Sequence, residues 1–303
     1  MPIANFFTQD ECIPTLRQNL FPMTAISKAS HNRGILLILL TVLIWGTSFS
    51  VLKYFLRYFP PAVIVATRFA IAAVPFVGWL RQLNLRLLGA GVLLGCLCFM
   101  ATSLTVLGLE TISANRSAFI LSLNAILVPL LGIFLCQQLP AKILVAAGLA
   151  ISGIGLLSWE GGGLSWGDAL TFMAALSFAI YILTLAKLTP RYPTLPLVAV
   201  QLWIMALIGI IWAMPHFAVY VRDITAGFGT FLYLGLIVTA TPVWTQTMAG
   251  RWVPAHEVAL LYTLEPVFAT FFSFLFLGEQ LGVRGIIGAA LVVTATVVSQ
   301  SDR

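Results

Sequence analysis

The sequence predicts an all-α integral membrane protein of ten transmembrane helices arranged as two inverted five-helix repeats. Composition is the first observation. Of 303 residues, 60% are hydrophobic and 9% charged, against roughly 25% charged in an average soluble domain. A mean hydropathy of +1.01 leaves more apolar surface than one globule can hide, so much of it faces lipid. The second observation is segmentation into apolar runs of membrane-crossing length, and the third is an internal repeat. A soluble enzyme, a nucleic-acid binder and a disordered chain are excluded. The net charge of +6 comes from basic residues scattered singly between apolar runs, which read as topology signals rather than as a nucleic-acid surface.

Residues 1–33 form a polar tail containing Asp10, Glu11, Arg17, Lys28 and Arg33. It lacks the apolar core and small-residue cleavage site of a signal peptide. We expect a disordered cytoplasmic tail, dispensable up to Pro22, with Met23 as a second plausible start. Ten apolar segments succeed it, at 34–56, 61–80, 87–109, 114–135, 141–159, 166–186, 195–214, 228–248, 255–277 and 281–298. Each is close to the ~20 residues a helix needs to cross a bilayer, and none shows the ten-residue alternation of a barrel strand. The separators are short: residues 81–86, Gly161-Gly162-Gly163, the turn Thr189-Pro190-Arg191-Tyr192-Pro193, and Gly278-Glu279-Gln280. The first repeat is assigned to 34–159 and the second to 166–298, with a short tail at 299–303.

Lys and Arg divide unequally between the two sides of these segments. The side holding the N-terminus has ten, the other has five (Lys53, Arg57, Arg116, Arg222 and Arg284), and Arg68 lies within a segment. Both termini are therefore expected in the cytoplasm. The repeat shows in two offsets. Residues 114–118, leading to Leu123-Asn124, match residues 255–259, leading to Leu264-Glu265, at a shift of 141. Gly34, Trp45-Gly46 and Arg68 match Gly167, Phe178-Ala179 and Gln201 at a shift of 133, and the extra eight residues are expected in a loop at 215–227. Because five is odd, the second copy enters the membrane inverted, the plan of alternating-access carriers.

Arg68 is the clearest anomaly, a charge inside the second segment. Two readings stand side by side: a guanidinium holding a substrate carboxylate through a bidentate contact, or a structural pair or a snorkel to the interface. Glu265 lies mid-segment before Pro266, where a loosened helix frees carbonyls. It reads either as a proton-carrying group or as a cap or neutraliser of Arg68. Thr41, Trp45 and Ser48 share one helix face, and Ser177, Tyr181 and Thr184 repeat it. Trp45 and Tyr181 are expected to line a cavity. The hydroxyls are expected to bond backbone, with Ser48 kept among the cavity candidates. Asn124, Gln201, Trp244, Tyr262 and Gln246 are weaker candidates, with interhelical bonds as the alternative. Gly91 and Gly95 mark a close helix approach to another segment or to a second protomer.

Cys12, Cys96, Cys98 and Cys136 suggest no oxidised framework, and His31, His216 and His256 are too far apart in sequence to suggest a metal site. No cofactor is expected. An intramembrane enzyme would need a nucleophile with its base, paired aspartates or HExxH on a segment, and the segments hold only His256 and Asp168 of these residue types, each at an edge. A passive channel would favour an oligomer or a continuous polar ring. No P-loop is present, so active transport would draw on a gradient.

The 5+5 plan, Trp45-Gly46-Thr47-Ser48-Phe49, Arg68 within a segment, and Leu264-Glu265-Pro266-Val267-Phe268-Ala269 leading to Phe276-Leu277-Gly278-Glu279 resemble the EamA-type branch of the drug/metabolite transporter superfamily. The likeness runs from Gly34 to about Val298. It implies an inner-membrane carrier of small metabolites, often an exporter of amino acids, with a cavity between segments 1–4 and 6–9. The chain departs from symmetry at Asn124-Ala125 against Glu265-Pro266, and at Gln138 against Glu279. With Arg68 the one Lys or Arg away from a segment end, the sequence argues against sugar phosphates or nucleotide sugars. The expected partners are a small zwitterionic or weakly charged substrate with an apolar part and the lipid bilayer, with the chain a monomer or homodimer.

Overall fold

The computed structural model describes residues 28–132, 145–146, 148–153, 156 and 163–300. Regular structure among them is entirely helical. Seven helical stretches are long and apolar enough to cross a membrane, and Glu265–Leu277 and Val283–Ala295 are shorter apolar helices. The segment read at 141–159, together with residues 1–27, 301–303, Gln138 and Cys136, lies wholly or largely outside the described residues.

The chain begins with α1 (Lys28–Phe55), which starts six residues ahead of the Gly34 boundary expected from the sequence. Next comes α2 (Pro61–Ala73), prolonged by a 3-10 turn at Val74–Gln82. Pro61 stands where the first N–H would lack a partner anyway. The long α3 (Leu85–Thr111) is capped by Asn84, whose side chain accepts from the Leu87 N–H at 2.8 Å. The fourth segment is broken into α4 (Ala114–Leu121) and α5 (Asn124–Gly132). After the partly described stretch come α6 (Trp166–Leu188) and α7 (Thr194–Ala226). The eighth segment consists of α8 (Phe228–Leu232), a π-helix (Tyr233–Ala240) and α9 (Thr241–Ala249). The ninth is broken like the fourth, into α10 (Ala255–Tyr262) and α11 (Glu265–Leu277), and α12 (Val283–Gln300) closes the fold.

The loop expected at 215–227 is helix instead. α7 continues through Pro215 to Ala226, so the extra eight residues of the second repeat lengthen a helix. Pro215 costs a hydrogen bond and crowds the preceding turn, but the helix beyond it is anchored: Tyr220 packs 6.0 Å from Phe59, and Ile224 lies on the core.

The sequence offsets reappear in space. Gly34 at the start of α1 packs on Ala249, Trp252 and Val253, while Gly167 at the start of α6 packs on Gly108, Thr111 and Ile112. Each contact is the other shifted by 133 on one side and 141 on the other. They lie at opposite ends of the bundle, because α1 and α6 begin at opposite ends. A Cβ on either glycine would collide with its neighbour. Gly91 and Gly95 face Val200, Gln201 and Ile204 on α7, so this close approach is to another helix of the same chain.

A salt bridge at each end accompanies these contacts, one member of each being related by the repeat. At the end where α6 begins, Arg116 of α4 forms a buried pair with Asp168, its Nε donating to Oδ1 at 2.6 Å. Asp168 also completes a capping box with Ser165. At the end where α1 begins, His31 lies 3.2 Å from Glu257 of α10, and 257 is 116 shifted by 141. Glu279 stitches α11 to α4, its carboxylate accepting from the Ala114 and Asn115 N–H groups at 3.1 and 3.2 Å. That places a negative group at a helix N-terminus, where the backbone dipole favours it.

The exterior is apolar. Leu36, Ile151, Ile211, Phe271 and Ile286 all stand more than half exposed, as side chains facing lipid do.

Candidate functional site

A cavity of about 70 Å³ lies between the two halves, near the middle of the helices. One water needs about 10–15 Å³, so the space holds several waters or a small solute. Its walls come from α1 (Trp45, Ser48, Phe49, Leu52), α2 (Arg68, Phe69), α3 (Cys98, Thr102, Thr105), the α4 end, α6 (Phe178), α7 (Met205), the eighth segment (Val238, Thr239) and α11 (Glu265). The walls are mostly apolar, with few polar groups, as small-molecule sites tend to be.

Arg68 is 5% exposed. Its Nε donates to Thr239 Oγ1 at 2.9 Å, and its guanidinium carbon stands 5.4 Å from the Phe69 ring centre, within cation–π range. Thr239 can accept because its own hydroxyl donates to the Leu234 carbonyl at 2.7 Å. Among the described residues Arg68 forms no ion pair with Glu265; Glu257 is paired with His31 and Asp168 with Arg116. The reading in which Glu265 pairs with Arg68 therefore does not hold here. With one nitrogen used, the two terminal nitrogens of the fork remain for whatever enters the cavity.

Glu265 opens α11, just past the break at Thr263-Leu264, with Pro266 in the first turn. It is 2% exposed, lines the cavity and makes no hydrogen bond to the described residues. Pro266 suits the break, since it supplies no N–H to the preceding turn.

The structure thus brings Trp45, Ser48, Arg68 and Glu265 to one cavity. The other six candidates, Gln246 among them, lie elsewhere. Tyr181 and Tyr262 sit under the floor, packed with Trp45 and Phe178: Phe178 is 5.3 Å from Trp45 and 5.7 Å from each tyrosine between ring centres. The Tyr181 hydroxyl donates to Gln201 Oε1 and the Tyr262 hydroxyl to Gln246 Oε1, both at 3.0 Å, so Gln201 serves as an interhelical partner. Asn124 is fully buried at the start of α5, away from the cavity walls. Trp244 is 37% exposed and contributes nothing to the cavity wall. As expected of hydroxyls, Ser48 bonds its own helix, donating to the Trp45 carbonyl at 2.7 Å.

Thr239, Cys98 and Phe178 were not among the candidates. Phe178 carried a signal, as the repeat mate of Trp45. Thr239 gave none, because it acts through a π-helix: the wider turn lets its hydroxyl reach a carbonyl five residues back, and leaves the Val238 carbonyl to accept from Trp45 Nε1 at 3.2 Å.

Comparison with known proteins agrees with this architecture. Over 295 residues the chain is 29% identical to a probable amino-acid metabolite efflux pump of Escherichia coli K12, covering 89% of this chain and 95% of that protein. A pump of the same description from Salmonella typhimurium LT2 is 27% identical, covering 87% and 93%. An uncharacterized transporter of Archaeoglobus fulgidus is 27% identical, covering 86% and 83%. A solved crystal structure superposes with a TM-score of 0.64 at 16% identity, covering 88% of this chain and 96% of that one, and so shares the fold. Residues 32–159 and 165–300 each match the EamA-like transporter family. With two such domains filling nearly its whole length, this chain is a multi-pass membrane transporter, not an enzyme, and belongs to the EamA-like transporter family.

Proposed function

We propose that this transporter moves amino acids or related small zwitterions with an apolar side chain across the inner membrane, by alternating access and without a cofactor. The observation that carries the reading is Arg68 and Glu265 facing one apolar cavity without pairing to each other. A buried cation with free donors and a separate buried carboxyl match the two charges of a zwitterion. Phe49, Leu52, Phe69 and Phe178 offer an apolar berth for its side chain. The relatives named amino-acid metabolite efflux pumps support export as the direction. The sequence supports ten crossings with both termini cytoplasmic.

The test is efflux from proteoliposomes loaded with a panel of labelled amino acids, nucleosides and organic cations. Movement of apolar amino acids, competed by other zwitterions, is the expected result. Transport of nucleosides or cations alone would overturn the reading.

A further inference from the structure

A second, smaller pocket of about 10 Å³ lies at the end of the bundle where α1 begins, lined by Ile182, Leu185, Gln246, Val253, Val258 and Tyr262 among others. Part of its lining is cavity lining carried through the repeat. Ile182 and Leu185 are Phe49 and Leu52 shifted by 133, and Gln246 and Tyr262 are Thr105 and Leu121 shifted by 141. The same offsets relate the mirrored glycine contacts and carry Arg116 onto Glu257. The molecule therefore holds one structural idea twice, open in one copy and collapsed in the other.

Two buried amides belong to the collapsed copy. Asn124 is the mate of Glu265; it is fully buried, and both its Oδ1 and Nδ2 lack hydrogen-bond partners among the described residues. Gln246 is 2% exposed and lines the small pocket; its Oε1 accepts from Tyr262, while its Nε2 has no partner among the described residues. Leaving such groups unpaired is costly, and a second conformation in which they meet water or solute explains why they are there. Gln201, the mate of Arg68, is already bonded to Tyr181 beside them.

We propose that the small pocket opens in the alternate state into an uncharged substrate subsite formed by Asn124, Gln201, Gln246, Tyr181 and Tyr262. This rests on the proposed transport of zwitterions. Where the cavity presents a guanidinium and a carboxyl, the mirror subsite presents amides and hydroxyls at the same places. A zwitterion is held by charge in one state and only by neutral hydrogen bonds in the other. It therefore binds more tightly in the cavity than in the mirror subsite.

The test uses the full chain in proteoliposomes, with Cys12, Cys96, Cys98 and Cys136 replaced, and single substitutions Leu52→Cys in the cavity or Leu185→Cys in the pocket. The probe is a charged, water-soluble methanethiosulfonate. Leu185→Cys is expected to be labelled although Leu185 is 5% exposed here. Adding Asn124→Leu removes the unpaired amide that penalises the present state, so labelling at 185 should slow about fivefold or more. Labelling at 52 should be undiminished and the Tm no lower. If Asn124→Leu fails to fold, Asn124→Ala carries the same comparison. Absence of labelling at 185 in a protein that transports, or labelling that ignores the loss of the Asn124 amide, overturns the proposal. Should amino acids not be moved while labelling shows the expected pattern, the substrate reading falls and the opening of the pocket stands.

Discussion

Replacing Arg68 by Met separates a binding role from a structural one, because the two move stability and transport in opposite directions. The guanidinium has five N–H donors and, among the described residues, spends one, on Thr239 at 2.9 Å. Held at 5% exposure, it carries a desolvation cost of several kcal/mol, offset only by that bond and by the Phe69 ring 5.4 Å away. Met fills similar length without charge. Loss of a charge-assisted hydrogen bond costs about 1.5–3 kcal/mol, but removal of an incompletely compensated buried ion returns a similar amount. The Tm of Arg68→Met should therefore hold or rise. Transport should behave differently. If the fork grips a carboxylate, its loss removes about 1.5–3 kcal/mol of binding, a ten- to 150-fold rise in the concentration for half-maximal transport. Arg68→Lys should fall between, keeping the charge and losing the planar fork. The assay is concentration-dependent exchange in proteoliposomes, paired with thermal unfolding of the same preparations. A fall in Tm with unchanged transport would refute the argument and make Arg68 a pin between α2 and the eighth segment.

Glu265→Gln should fold normally and still exchange substrate across vesicles, at a higher half-maximal concentration, while losing accumulation driven by a pH gradient, if the carboxyl carries the coupling proton; full accumulation would remove that role. Glu279→Ala should lower the Tm through the loss of two capping bonds at α4, by an amount matching about 1–2 kcal/mol in chemical denaturation. Gly46→Ala places a Cβ 2.5 Å from Phe268 Cβ and 3.2 Å from the Ala269 nitrogen, so α1 and α11 must part; the expected cost is about 1–3 kcal/mol, read as slower transport and a lower Tm. Glu257→Gln weakens the contact with His31 and should speed thiol labelling of Leu185→Cys, whereas Asp168→Asn at the other end should speed that of Leu52→Cys.

The charges were legible in the sequence because a charged residue amid apolar neighbours stands out whatever the fold, and both Arg68 and Glu265 reach the cavity wall. Trp45 was legible as part of a one-faced stripe. Its partner stripe misled in part: Tyr181 lies on the equivalent face, but in the copy whose pocket is collapsed, so it seals where Trp45 lines. Periodicity gives a helix face without saying which neighbour covers it, and for that reason Trp244 was drawn toward a cavity from which it is turned away. Pro266 announced the break before α11. The matching break before α5 has no proline at its site, Pro129 lying further along the helix, and only the repeat could have indicated it. Pro215 was read as a helix end, although packing of Tyr220 and Ile224 carries α7 past it.

The π-helical stretch at Tyr233–Ala240 amounts to a stored rotation. Its carbonyls accept from five residues ahead instead of four, so the eighth segment carries surplus chain at the level of the cavity. Tightening by one residue to ordinary α geometry would turn everything beyond Ala240 by about 100° around the helix axis, Gln246 included. It would also withdraw the Val238 carbonyl from Trp45 and re-aim Thr239 relative to Arg68. A single change of winding thus reaches both the charged cavity and the amides beneath it, and the eighth segment can report the state of one compartment to the other without any helix translating through the membrane.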